Sequence, residues 1–134
     1  MKKILLILSL SLSLFAGDIK WHSYKEMLSL KSDKPVFVFV SSTHCGFCKK
    51  ELYSMEKDKS FVEFINKKFI PVYISQDVDY TPVHLMSRVT PSFYVTDKEG
   101  KYIVEPMYGL QEPYNLMRTL NRAEYIYRSQ KWKK

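Results

Sequence analysis

Cys45 and Cys48 are the only cysteines in the chain, and they stand as Cys45-Gly46-Phe47-Cys48. Two thiols at this spacing can close a disulfide, contribute to a metal site, or exchange with a partner's disulfide. As a structural clamp the pair would gain little, because the entropic benefit of a disulfide grows with the length of the loop it closes. A c-type haem attachment needs His directly after the second cysteine, and position 49 is Lys. A zinc or copper site needs further ligands, and His22, His44 and His84 are scattered singly. Exchange suits the pair best, with metal binding and an inert disulfide as the alternatives.

The flanking sequence says how the pair is held. Val36-Phe37-Val38-Phe39-Val40 is a run of β-branched and aromatic residues without alternation, the pattern of a strand buried on both faces. It leads through Ser41-Ser42-Thr43-His44 into good helix formers from Cys45 onward. A cysteine at a helix N-terminus meets free N–H groups and the positive end of the helix dipole, which favour the thiolate, the attacking species in exchange. Cys48 returns to the same helix face, more deeply placed. Cys45 is therefore read as the nucleophile and Cys48 as the resolving cysteine, with no direction of exchange fixed by the motif.

Around this centre, Asp18 to Trp21 reads as a short strand or lead-in, and Ser23 to Lys31 as a helix. A second helix is expected from Ser60, where Ser60-Phe61-Val62-Glu63 has capping-box spacing. Phe69 to Ile74 reads as a strand with Pro71 at a start or an edge. A short helix is expected near Val83 to Ser87. Ser92–Thr96 and Lys101–Val104 flank Asp97-Lys98-Glu99-Gly100 as a hairpin. Pro113 to Arg128 reads as a terminal helix with Leu116, Met117, Leu120 and Tyr127 inward. Helices interspersed with strands imply an α/β or α+β sandwich.

Residues 1–16 carry a basic start, an apolar run from Ile4 to Phe15 and a small-residue exit, the features of a secretory signal peptide. Cleavage is expected after Ala16, with an uncleaved anchor as the alternative, and residues 17–134 form one domain. No cysteine stands at the end of the apolar run, which argues against a lipoprotein. An exported protein lives where disulfides persist. The formal charge is +7, and its densest part is the tail Arg128 to Lys134, read as a solvated, frayed terminus in preference to a nucleic-acid or membrane surface.

Val36 to Val40, Cys45-Gly46-Phe47-Cys48-Lys49, Thr90-Pro91 before Ser92 to Thr96, and the Asp97–Gly100 turn together resemble thioredoxin across nearly all of residues 17–134. Trp21, Lys34-Pro35, the stretch Glu51 to Val72 and Phe69-Ile70-Pro71-Val72 are similar to the branch typified by the C-terminal domain of the periplasmic membrane electron transporter. Gly46-Phe47 with Thr90-Pro91 also resembles the periplasmic disulfide isomerases. The resemblance implies an α/β, thioredoxin-like fold with a central mixed sheet flanked by helices. It implies a cis Thr90–Pro91 bond facing the cysteines, with Thr90 offering backbone groups to an extended substrate; a trans proline opening a strand is the alternative. Cys45 and Cys48 are then catalytic, and Thr90, Pro91, His44, Gly46 and Phe47 substrate-facing.

Two departures bear on mechanism. His44 stands where thioredoxin has Trp, and either favours the Cys45 thiolate or is exposed with little effect. Phe39 stands where thioredoxin has a buried Asp, so the usual acceptor of the Cys48 proton is missing. The implied function is a periplasmic thiol–disulfide oxidoreductase exchanging with exported proteins, without a cofactor or metal, served by a membrane electron transporter and monomeric. A reductase or relay fits better than an oxidant, because the stretch from Cys48 to Pro91 has no room for an inserted helical domain, and Gly17 to Pro35 none for a dimerisation domain. The alternative is a non-enzymatic binding module, or a copper or zinc chaperone using the cysteines and His44.

Overall fold

A computed structural model describes residues 18–134; the signal peptide expected over residues 1–16 lies outside the described residues. Four strands form one mixed sheet: β1 (Val36–Ser41), β2 (Ile70–Ser75), β3 (Ser92–Thr96) and β4 (Met107–Tyr108), in the order β2-β1-β3-β4. β1 pairs parallel to β2 and antiparallel to β3, and β3 pairs antiparallel to β4. The helices are α1 (Tyr24–Ser29), α2 (Gly46–Glu56), α3 (Lys59–Lys68) and α4 (Pro113–Trp132), with a single 3-10 turn at Val83–Leu85. This is the α/β architecture expected of a thioredoxin-like fold.

β1 is buried along its whole length, and its pleat divides it between two cores. Phe37 and Phe39 point into one, built with Met55 of α2, Phe61 and Ile65 of α3, and Leu116 and Leu120 of α4. Val36, Val38 and Val40 point into the other, with Tyr24 and Met27 of α1, Leu85 and Tyr94. Phe39, in the place where a carboxylate was looked for, stacks on Phe93 at 5.0 Å and meets Tyr73 edge-on at 5.4 Å. An ionised group there would sit desolvated among rings.

Local signals explain most element ends. α1 opens on a capping box, in which the Ser23 hydroxyl accepts the Glu26 N–H and the Glu26 carboxylate accepts the Ser23 N–H, both at 3.1 Å. The box expected at Ser60 does not form; α3 begins at Lys59 because Asp58 caps it, accepting the Phe61 N–H at 3.2 Å. β2 is an edge strand and tolerates Pro71, whose carbonyl accepts the His22 N–H. The lead-in before α1 contributes only an isolated bridge, His22 to Val72.

The hairpin differs from expectation on its second arm. The Asp97–Gly100 turn is present, with Gly100 at φ +88° against the His84 ring. Beyond it only Tyr102 bridges to Thr96, and pairing resumes at Met107 opposite Phe93. Five residue steps on one arm thus face three on the other. Pro106, lacking an N–H, falls in this excess, so β4 is Met107–Tyr108 and not Lys101–Val104. The tail is also not frayed: α4 runs on to Trp132, and Lys131 donates to the Asp33 carbonyl at 2.7 Å. On its inner stripe Leu116, Leu120 and Ala123 are buried, whereas Met117 and Tyr127 are only partly so.

Phe39→Ala should lower the unfolding free energy by about 3–5 kcal/mol, the cost of truncating a fully buried Phe. Urea denaturation checks this, and a loss under about 1 kcal/mol contradicts the placement of Phe39 in the core.

Candidate functional site

The site forms where β1 ends and α2 begins. Cys45 is the N-cap of α2, and its Sγ accepts the Cys48 N–H at 3.1 Å. The two cysteines are joined as a disulfide, with Cα atoms 5.2 Å apart. Cys45 keeps 9% of its surface exposed and Cys48 only 2%, so the outer sulfur is the one aimed by the helix N-terminus. Gly46 and Phe47 occupy the outer rim of the first turn, Phe47 at 63% exposure, and His44 is exposed beside Cys45.

Facing Cys45 is the Thr90–Pro91 peptide, which is cis. The Thr90 hydroxyl donates to Cys45 Sγ at 3.4 Å and lies 3.2 Å from the Ser42 hydroxyl. The Thr90 carbonyl oxygen is 3.6 Å from the same sulfur, where a Cys45 thiol could donate to it once the disulfide is reduced. The structure thus brings Cys45, Cys48, Thr90 and Pro91 together, with His44, Gly46 and Phe47 along the rim. His84 packs instead against the rings of Tyr24 and Tyr102. Among the described residues no three His, Cys, Asp or Glu side chains gather as a metal site.

Three polar side chains that sequence reasoning did not assign hold these segments. Asp77, just past β2, accepts the Thr43 N–H at 3.1 Å, the Thr43 hydroxyl, and the Ser75 hydroxyl at 3.0 Å. These bonds, that of the Thr43 hydroxyl foremost, hold its carboxyl down at about 2. The Gln76 side-chain amide donates to the Ser87 carbonyl at 2.8 Å and accepts the Ser87 N–H at 3.0 Å, fixing the approach to Thr90.

Glu51, buried on the inner side of α2, accepts the Gln111 N–H at 3.2 Å. The Gln111 amide in turn donates to the Tyr108 and Gly109 carbonyls, and the Gly109 N–H donates to the Pro91 carbonyl at 2.8 Å. Gly109 needs its φ of +79° to make this turn. A chain of hydrogen bonds therefore runs from α2 to the cis proline. The only sequence signals were an acid in a strand-to-loop corner and a carboxyl at inward helical spacing, and neither names its partner.

Burial is the main cause that pushes the Glu51 carboxyl above its ordinary 4.5; Glu112 adds to this and the Gln111 N–H opposes it. The fold therefore prefers Glu51 protonated, so this stability is fully present below 4.5 and is lost as pH rises through the folded value. Gln keeps the acceptor without the charge. Glu51→Gln should be more stable than the wild type at about pH 8 and lose that advantage at about pH 4. Thermal melts at both pH values check this, and a difference independent of pH contradicts it.

With this geometry in place, the chain can be set beside known proteins. The family described as "Thioredoxin-like domain" matches residues 27–124. A protein of Archaeoglobus fulgidus, described only as uncharacterized, is 39% identical over 67 residues, covering 48% of this chain and 53% of that one. The chain thus spans about half the length of that curated relative. Among solved structures, a thioredoxin from Thermus thermophilus superposes with a TM-score of 0.63 at 19% identity, covering 79% of this chain and 87% of that one. A structure titled DsbH Oxidoreductase gives 0.61 at 18% identity, covering 93% and 95%. At such identities the superpositions speak for the fold, and the family match speaks for kinship: the chain belongs to the thioredoxin-like domain family.

Proposed function

We propose that the protein is a thiol–disulfide oxidoreductase that exchanges disulfides with exported proteins, Cys45 acting as nucleophile and Cys48 as resolving cysteine. The observation that carries this reading is the Cys45 sulfur on the N-cap of α2, the more exposed of the pair and in contact with Thr90. In the reduced protein the Cys45 thiolate attacks one sulfur of a partner disulfide. The Cys45–partner bond forms as the partner's own S–S bond breaks, and one partner sulfur leaves as thiolate. Cys48 then gives up its proton and attacks Cys45 Sγ. The Cys45–Cys48 bond forms, the mixed disulfide breaks, and the second partner sulfur leaves. The partner gains two electrons and takes up two protons, while the protein is oxidised by the same two electrons.

Thr90 supplies backbone groups that pair with an extended partner segment. Phe47 and the groove of about 290 Å³ lined by Met86, Ser87, Arg88, Val89 and Tyr108 give that segment an apolar bed. Glu51, one turn past Cys48 on the inward face of α2, is the carboxyl we assign to receive the Cys48 proton.

We place the protein in the periplasm on the strength of the signal-like sequence of residues 1–16. We read its work as reduction or relay, with a membrane electron transporter returning the dithiol. The compact connection from Cys48 to Pro91, without the inserted helical domain of the main periplasmic oxidant, supports that direction.

Insulin reduction by dithiothreitol tests the reading. The wild type should accelerate it, Cys45→Ser should fall to the uncatalysed rate, and Cys48→Ser should accumulate stable mixed disulfides with its substrates. Catalysis that survives in Cys45→Ser, or a wild type no faster than dithiothreitol alone, contradicts the assignment.

A further inference from the structure

At the end of the molecule away from the cysteines, three chain segments carry cations into one patch. Lys34 precedes β1, Lys67 and Lys68 end α3, and Arg128 and Lys131 lie in the last turns of α4. With Asp33, Glu124, Tyr127 and Trp132 they enclose a hollow of about 400 Å³. Glu124 is shared by Lys68 and Arg128, and Asp33 is paired with Lys131. Lys67, Lys133 and Lys134 add charge and take part in none of the ion pairs among the described residues. Trp132 stands at the same pole with 89% of its surface exposed.

The start of the described chain reaches the same pole. The Asn66 side chain donates to the Asp18 carbonyl at 3.1 Å and accepts the Lys20 N–H at 2.9 Å, while the Asn66 carbonyl accepts from Lys34 Nζ at 3.3 Å. β1 separates this pole from the Cys45 end by its six residues, about 20 Å at the usual rise per residue.

We propose that this pole is a docking surface for an anionic lipid bilayer, which holds the domain with Cys45 facing away from the membrane. Clustered Lys and Arg are drawn to anionic headgroups over roughly a Debye length. An exposed Trp prefers the headgroup boundary, where its ring leaves water and its N–H stays solvated. The cation cluster and the exposed indole coincide at one end. That coincidence favours a bilayer over a nucleic-acid duplex, whose bases are already stacked on one another and which would use the cations alone. The proposal does not depend on the direction of thiol exchange.

The test uses the full chain and tryptophan emission quenched by brominated lipid. Vesicles of phosphatidylcholine with about one quarter phosphatidylglycerol should quench the emission, and pure phosphatidylcholine should quench it at least about tenfold less. Quenching should fall similarly in about 0.5 M salt. It should also fall in Trp132→Tyr, and in Lys67→Glu/Lys133→Glu/Lys134→Glu, which must keep the wild-type rate of insulin reduction. Equal quenching in neutral and anionic vesicles, or quenching unchanged by the triple substitution, overturns the proposal. So does retention of duplex DNA without vesicle quenching, which would make the pole a nucleic-acid surface.

Discussion

Both cores of this protein rest on β1, and burial of that strand on both faces is the constraint from which the rest follows. A strand buried on both sides favours apolar residues, and Val36 to Val40 are apolar, while the buried Ser41 that closes it turns its hydroxyl to the Ser42 carbonyl. Its odd residues are bulky rings and its even residues valines, so the two cores differ in kind. The ring-lined core supports α2, α3 and α4, while the valine-lined core is closed by α1 and the Val83–Leu85 turn. The chain leaves the sheet after Ser41, and Cys45 follows within a few residues. The Cys45–Cys48 disulfide sits at the edge of the most apolar part of the molecule because the strand has to end there.

The asymmetry between the two sulfurs arises from the same junction. A residue at the N-cap has its side chain directed at the free N–H groups of the first turn, whereas a residue three positions later faces inward. Cys45 accordingly accepts a backbone N–H and touches Thr90, and Cys48 is sealed against the core. Three loops meet at this point, each held by one polar side chain: Asp77 holds Thr43, Gln76 holds Ser87, and Glu51 holds Gln111. Those clamps set the spacing between Cys45 and Thr90 without touching either residue.

What was legible in the sequence was local. The buried strand, the helix after Cys45, the turn at Asp97–Gly100 and the proline start of α4 each carry their cause within a few residues. The resemblance to thioredoxin supplied the one long-range pairing that was foreseen, Thr90–Pro91 against the cysteines. The misses have physical reasons. Asp58 outcompeted Ser60 as the cap of α3 because a carboxylate two residues earlier reached the Phe61 N–H. The second hairpin arm slipped because Pro106 cannot continue a ladder. Asp77, Gln76 and Glu51 were unassigned because their partners lie 34, 11 and 60 positions away. At the far pole, Lys131 finds Asp33 across 98 positions, which turned an expected frayed tail into helix.

The strand-to-helix junction is what should make Cys45, and not Cys48, the reactive sulfur. Competitive alkylation of the fully reduced protein at about pH 7, with the labelled cysteine located by mass spectrometry, measures this directly. Labelling of Cys45 at least about tenfold faster than Cys48 is the predicted result, since the thiolate reacts and only Cys45 has both the N-cap and the exposure. Equal rates, or faster labelling of Cys48, would contradict it.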